Sequence, residues 1–79
     1  MSKQQIDLYI SDNCTECDEL IQFLTEANIA FNQKNTTKER QYLLELQQKN
    51  IFITPAIIID DFYQIIGFQP DKIKRLTHR

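Results

Sequence analysis

Glycine occurs once in the 79 residues, histidine once, proline twice and cysteine twice. A single glycine excludes collagen-like and glycine-rich chains. Two cysteines can close at most one internal disulfide, which excludes a disulfide-dense secreted scaffold. Long apolar runs are missing too. The longest is Ala56–Ile59, far below the roughly 20 residues of a membrane span. The N-terminus lacks the apolar stretch of a signal peptide. Strong positive charge is also absent. The net charge is −2, with residues 1–40 at −3 and residues 41–79 at +1. That excludes the basic face of a nucleic-acid binder. A cytoplasmic protein without membrane or nucleic-acid partners is expected. Two cysteines in a reducing compartment point to redox or metal chemistry rather than a structural staple.

What is present suits one small domain, residues 1–79. Hydrophobic residues make up 42% and charged residues 25%, which argues against disorder. Ile6, Leu8 and Ile10 alternate along a first strand, about 5–10. After the turn cluster Ser11-Asp12-Asn13 the period changes. Cys17, Leu20, Ile21, Leu24 and Ala27 share one face of a helix, about 15–27. Ile29, Ala30 and Phe31 open a short second strand that runs to about Lys34. Thr36 and Glu39 fit a capping box ahead of a helix over about 37–49, with Asn50 as its left-handed stop. Ala56–Ile59 reads as a strand covered on both faces. Asp60-Asp61 turns the chain, and Phe62–Ile66 returns as a hairpin partner. Gly67 breaks that strand, and Pro70 opens a last helix over about 70–77 with Ile73 and Leu76 inward. The basic residues Lys72, Lys74, Arg75 and Arg79 complement the dipole of that helix. The order is β-α-β-α-β-β-α, an α/β chain with a four-stranded mixed sheet and helices on both faces.

Cys14-Thr15-Glu16-Cys17 lies where the first strand meets the first helix. Unpaired N–H groups and the macrodipole favour an anion there, so a Cys14 thiolate is stabilised. Cys17 lies three residues on, on the same side of the first turn, close enough for a disulfide. Cys14 can attack a partner disulfide and Cys17 can resolve the mixed disulfide. Because Cys17 shares the apolar face, it should be the buried, less reactive sulfur. Three other readings stand beside exchange. A zinc site wants four ligands, and the one histidine, His78, lies at the far terminus, so no metal is expected. The cysteines could be inert core residues. The chain could also be a binding module without catalysis.

Asp12, Glu16, Asp18 and Glu19 surround the motif and disfavour a nearby thiolate. Asp18 and Glu19 suit a first helical turn in any case. Glu16, between the cysteines and pointing outward, suits a partner with a basic docking patch. Thr54-Pro55 precedes the apolar strand, where proline is allowed without special meaning.

Three stretches carry a resemblance that covers nearly the whole chain: Y-I-S-D-N-C-T-E-C at 9–17, T-P at 54–55 and G-F-Q-P-D-K-I-K-R-L at 67–76. Together they resemble the glutaredoxin-like branch of the thioredoxin superfamily. The last stretch is similar to that of the small NrdH-type redoxins, which donate electrons to class Ib ribonucleotide reductase and are reduced by thioredoxin reductase. The resemblance implies a thioredoxin fold, a catalytic pair Cys14 and Cys17, and no cofactor. It implies a cis Pro55 beside the sulfurs and a Thr54 backbone that pairs with an extended partner segment. Asn13, Thr15, Glu16, Gly67 and Phe68 complete the implied contact surface. Thioredoxin reductase and ribonucleotide reductase, or another disulfide protein, are the implied partners, and a monomer is expected.

The chain departs from typical glutaredoxins at three places. Ser11 stands where they carry Lys, Thr15-Glu16 where they carry Pro-Tyr, and Gly67-Phe68 where they carry Gly-Gly followed by Asp. A glutathione site is therefore not expected, and a glutathione-dependent glutaredoxin is the rival reading. Thr15 and Glu16 also differ from the apolar residue and Gln usual in the ribonucleotide-reductase redoxins.

Overall fold

The computed structural model describes residues 4–77, so His78 and Arg79 lie outside the described residues. Strand β1 (Ile6–Ile10) is buried at every position. It pairs in parallel with β2 (Asn32–Asn35) and antiparallel with β3 (Ala56–Ile59), which pairs antiparallel with β4 (Tyr63–Ile66). The order across the sheet is β2-β1-β3-β4. Helices are α1 (Thr15–Glu26), α2 (Arg40–Gln48) and α3 (Pro70–Thr77). The alternation of a strand sends successive side chains to opposite faces. Ile6, Leu8 and Ile10 therefore join Ile57, Ile59 and Ile65 under Cys17, Leu20 and Leu24 of α1 and Ile73 of α3. Tyr9, Ala56 and Ile58 meet Leu46 of α2 and Ile51 on the other face. Both faces of β3 are thus covered, as its unbroken apolar run requires.

With one glycine available, asparagine and aspartate take the left-handed positions. Asn28 and Asn50 follow α1 and α2 at φ 58° and 61°. Both form the same stop. Asn28 N–H donates to Thr25 C=O and Ile29 N–H to Leu24 C=O, while Asn50 N–H donates to Gln47 C=O and Ile51 N–H to Leu46 C=O. These are Schellman motifs, built on Leu-x-x-x-Asn-Ile in each case. Asp60 and Asp61, at φ 55° and 61°, make the turn between β3 and β4, closed by Phe62 N–H on Ile59 C=O. Short polar side chains tolerate this region better than other L-residues.

Five expectations change. The second strand is Asn32–Asn35 rather than about 29–34, because Ile29 closes the α1 stop and Phe31 packs on the core. An edge strand needs backbone pairing more than apolar side chains, so polar residues serve. The capping box does not form: Thr36 turns inward, its Oγ1 donating to Ile10 C=O at 2.9 Å. The helix begins at Arg40, after Glu39, which makes no side-chain cap. Ala27 is an exposed cap residue rather than part of the apolar face. Phe62 belongs to the turn, so the last strand starts at Tyr63.

Beneath α2 lies a polar cluster. Lys34 Nζ stands 3.8 Å from Asp7 and 3.5 Å from Glu45, over the rings of Tyr9 and Tyr42. Tyr9 donates its hydroxyl proton to Glu45 Oε1 at 2.9 Å. Asn32 Nδ2 donates to Asp7 Oδ1 at 3.0 Å, joining β2 to β1 a second time. Burial, and then the bond to Glu45, pushes the Tyr9 phenol up to about 12. For Lys34, burial works downward, but the field of Asp7, followed by Tyr9 and Glu45, carries the ammonium above its ordinary value.

Two measurements check these points. Asn50→Ala should lower the unfolding free energy by about 1 kcal/mol, while Asn50→Gly holds or raises it; urea denaturation reads both. Both shifts in the polar cluster run upward, so the folded state binds these protons more tightly. Their contribution is complete below the ordinary tyrosine value of 10.0 and is lost as the pH rises through about 12. Stability should fall over that window, and Tyr9→Phe should make the fall shallower.

Candidate active site

The carboxyl end of β1 runs into the turn that delivers Cys14. Asn13 sits at φ 56°, which reverses the chain just before the helix. Cys14 is the N-cap of α1, in extended conformation, and its Sγ accepts the N–H of Cys17 at 3.1 Å. Its C=O accepts from Asp18 N–H at 3.2 Å. Cys14 and Cys17 form a disulfide with their Cα atoms 5.2 Å apart. Cys17 is 1% exposed within the main core cluster, whereas Cys14 is half-buried. The two sulfurs therefore differ in access as the helical pattern predicts. Thr15 and Glu16 between them are exposed.

The turn is fastened from the side. Thr36 N–H and Oγ1 both donate to Ile10 C=O. Asp12 N–H donates to Thr37 Oγ1, and Asn35 Nδ2 donates to Asp12 Oδ1. Asn35 Oδ1 in turn accepts from Thr37 N–H and Lys38 N–H. Residues 35–38 thus serve the segment before Cys14, which explains why Thr36 is unavailable as a helix cap.

On the other side stands the start of β3. Tyr9 is opposite Ala56 in the β1–β3 ladder, which brings Thr54 and Pro55 to the end of β1. The Thr54–Pro55 bond is cis and Pro55 is buried. Ser11 Oγ and Thr54 Oγ1 are 2.7 Å apart and hydrogen-bonded. Among the described residues, neither the N–H nor the C=O of Thr54 has a hydrogen-bond partner. Gly67 N–H donates to Pro55 C=O at 2.8 Å. Gly67 has φ +83°, and a Cβ there would meet nothing within 4 Å, so conformation rather than space calls for glycine. Phe68 packs on the core that contains Cys17 and meets Phe23 edge-on at 6.0 Å. The structure thus gathers Asn13, Cys14, Cys17, Thr54, Pro55 and Gly67 at one end of the sheet. No group of three or more potential metal ligands occurs among the described residues.

Sequence reasoning missed three residues here. Ser11 has a partner, Thr54, that only the β1–β3 pairing supplies. Phe52 and Ile53 are exposed beside Thr54, whereas Ile51 is buried. Their signal was present: three apolar residues follow the asparagine stop, and a Schellman motif needs only the first of them.

The model of the thioredoxin domain matches residues 4–77. The glutaredoxin-like protein NrdH of Lactococcus lactis subsp. cremoris is 28% identical over 72 residues, covering 91% of this chain and 99% of that protein. A crystal structure of a mutant of the thioredoxin-like protein BC3987 superposes with a TM-score of 0.84 at 26% identity, over 91% of this chain and 97% of that one. The NrdH-redoxin of Escherichia coli shares the fold, with a TM-score of 0.81 at 24% identity over 91% and 93% of the two chains. With Cys14 of its cysteine pair capping the first helix and a cis-proline at the facing strand, the chain belongs to the thioredoxin-domain family and is similar, within it, to the NrdH-type glutaredoxin-like redoxins.

Proposed function

We propose that this chain is a dithiol–disulfide oxidoreductase that carries electrons to protein disulfides. The observation behind this reading is the unequal pair: a half-buried Cys14 at a helix N-cap, joined to a buried Cys17. In the reduced protein the Cys14 thiolate attacks a partner disulfide. One partner sulfur leaves as a thiolate, and a mixed disulfide forms on Cys14. Cys17, as thiolate, then attacks Cys14 Sγ, which expels the second partner sulfur and restores the Cys14–Cys17 disulfide. Two electrons pass to the partner, whose two sulfurs take up protons. The N–H of Cys17, already aimed at Cys14 Sγ, stabilises the attacking thiolate. Cys17 is protected from competing by its burial.

The partner surface is formed by Asn13, Thr15, Glu16, Thr54, Pro55, Gly67 and Phe68. An extended segment adds to the unpaired Thr54 backbone, main chain to main chain. Similarity to NrdH proteins supports thioredoxin reductase as the reductant and ribonucleotide reductase, or another disulfide protein, as the acceptor. Glutathione is a poor fit, since Gly67-Phe68 replaces the glycine pair that would hold its carboxylate. In this reading the chain acts as a monomer in the cytoplasm. No helix among the described residues is long and apolar enough to cross a membrane.

Three variants test the reading. Cys14→Ser should abolish disulfide reduction, and turnover equal to wild type would refute the assignment. Cys17→Ser should accumulate a mixed disulfide with the partner, seen as a covalent mass adduct that dithiothreitol removes. Ser11→Ala removes the bond that fastens Thr54. It should cost about 1 kcal/mol of stability and raise the KM for a protein disulfide more than it lowers kcat.

A further inference from the structure

Phe52 is 73% exposed and Ile53 60% exposed, unusual for large apolar side chains in adjacent positions. They lie beside Thr54, which the Ser11 hydrogen bond holds at the end of β1. The apolar pair therefore leads along the chain into the Thr54–Pro55 loop, which stands at the same end of the sheet as the cysteine turn. The cysteine turn and the first turns of α1 carry charge of one sign. Asp12, Glu16, Asp18 and Glu19 are all exposed, and among the described residues none of the four is in an ion pair. Exposed cations lie outside that stretch: Lys38 in the loop that fastens Asp12, Arg40 at the start of α2 and Lys72 in the first turn of α3. Lys74 and Arg75 are carried away towards the far end of α3, where Leu76 C=O accepts from Gln4 Nε2, ahead of the start of β1.

From this we infer that the Phe52–Ile53 ledge docks an extended disulfide-bearing segment of a partner protein with an apolar side chain and flanking Lys or Arg residues. The inference rests on the redoxin reading and adds the chemistry of its substrate. The apolar pair supplies area that excludes water, and the carboxylates supply the sign of the flanking charge. A second copy of this chain is the wrong occupant. Face-to-face pairing would bring two sets of four carboxylates together, and like charges across an interface oppose association.

The test uses the whole chain, reduced and freed of reductant, mixed in single turnover with two cyclic disulfide peptides. Both carry one Leu beside the cystine; one is flanked by Lys, the other by Glu. Neutral hydroxyethyl disulfide serves as the reference substrate. The Lys peptide should react about ten-fold faster than the Glu peptide at low salt. The ratio should approach one at about 0.5 M salt, where charges are screened within a few ångström. Glu19→Lys should shrink the ratio. Phe52→Ser should lower the rate on the Lys peptide relative to hydroxyethyl disulfide. Equal rates for the two peptides, or no effect of Phe52→Ser on the relative rate, would overturn the docking surface while leaving the exchange chemistry standing. Failure to reduce any of the three substrates would instead refute the redoxin reading, and the docking surface with it. A dimer in sedimentation that Phe52→Ser abolishes would assign the ledge to self-association, against the inference.

Discussion

The antiparallel pairing of β1 with β3 is the constraint on which the site depends. These are the two inner strands, and both are covered on both faces. Their register sets Tyr9 against Ala56. One consequence is that the exit of β1 and the entrance of β3 share an end. Cys14 comes from the first and Pro55 from the second, distant from each other in sequence. A one-residue slip would turn Ile57 and Ile59 out of the α1 side of the core. The division of the run between the faces, Ile57 and Ile59 toward α1 and the smaller Ala56 with Ile58 toward α2, fits one register, and that register places the proline loop beside the cysteine turn. Ser11 and Thr54 fasten the same junction with a hydroxyl pair.

A second constraint follows from the scarcity of glycine. Left-handed residues occur at Asn13, Asn28, Asn50, Asp60 and Asp61 as well as at Gly67. The asparagines and aspartates carry a backbone conformation in which glycine would be less strained. Their polar side chains compensate in part. Asp60 Oδ1 accepts Gln5 N–H, and Asp61 pairs with Lys49 at 3.1 Å. The hairpin turn is therefore tied both to the lead-in of β1 and to the end of α2, which a glycine could not do.

These features explain what could be read from the sequence. Element order was legible because the apolar period switches clearly from two to 3.6 at Cys14 and because Ala56–Ile59 admits few other interpretations. The cysteine pair was legible because its function depends on local spacing within one helical turn. The second strand was not. Ile29-Ala30-Phe31 carries the apolar signal, but Ile29 serves the helix stop and the paired residues are Asn, Gln, Lys and Asn. Thr36 failed as a cap for a similar reason. A local motif matched, but the C=O of Ile10, remote in sequence, took its hydroxyl. Ser11 was illegible because its meaning comes from the β1–β3 junction and not from its neighbours in sequence; Phe52 and Ile53 left a signal, as apolar residues in excess of what the Asn50 stop needs, but their place beside Thr54 comes from that junction too.

The carboxylates around Cys14 set two demands against each other. A thiolate at that position gains from the helix terminus and from the Cys17 N–H, and loses from Asp12, Glu16, Asp18 and Glu19. The gain acts over hydrogen-bond distance at a half-buried residue. The loss acts through solvent, since all four carboxylates are exposed and water screens them strongly. The terminus thus acts directly on the sulfur, while in the proposed function the carboxylates bear on what approaches it. Burial then bears on the proposed exchange: with Cys17 enclosed by Leu20, Leu24 and the strand residues, that reading gives the first attack to the more accessible Cys14, whose sulfur becomes one that Cys17 can attack only when it carries the mixed disulfide.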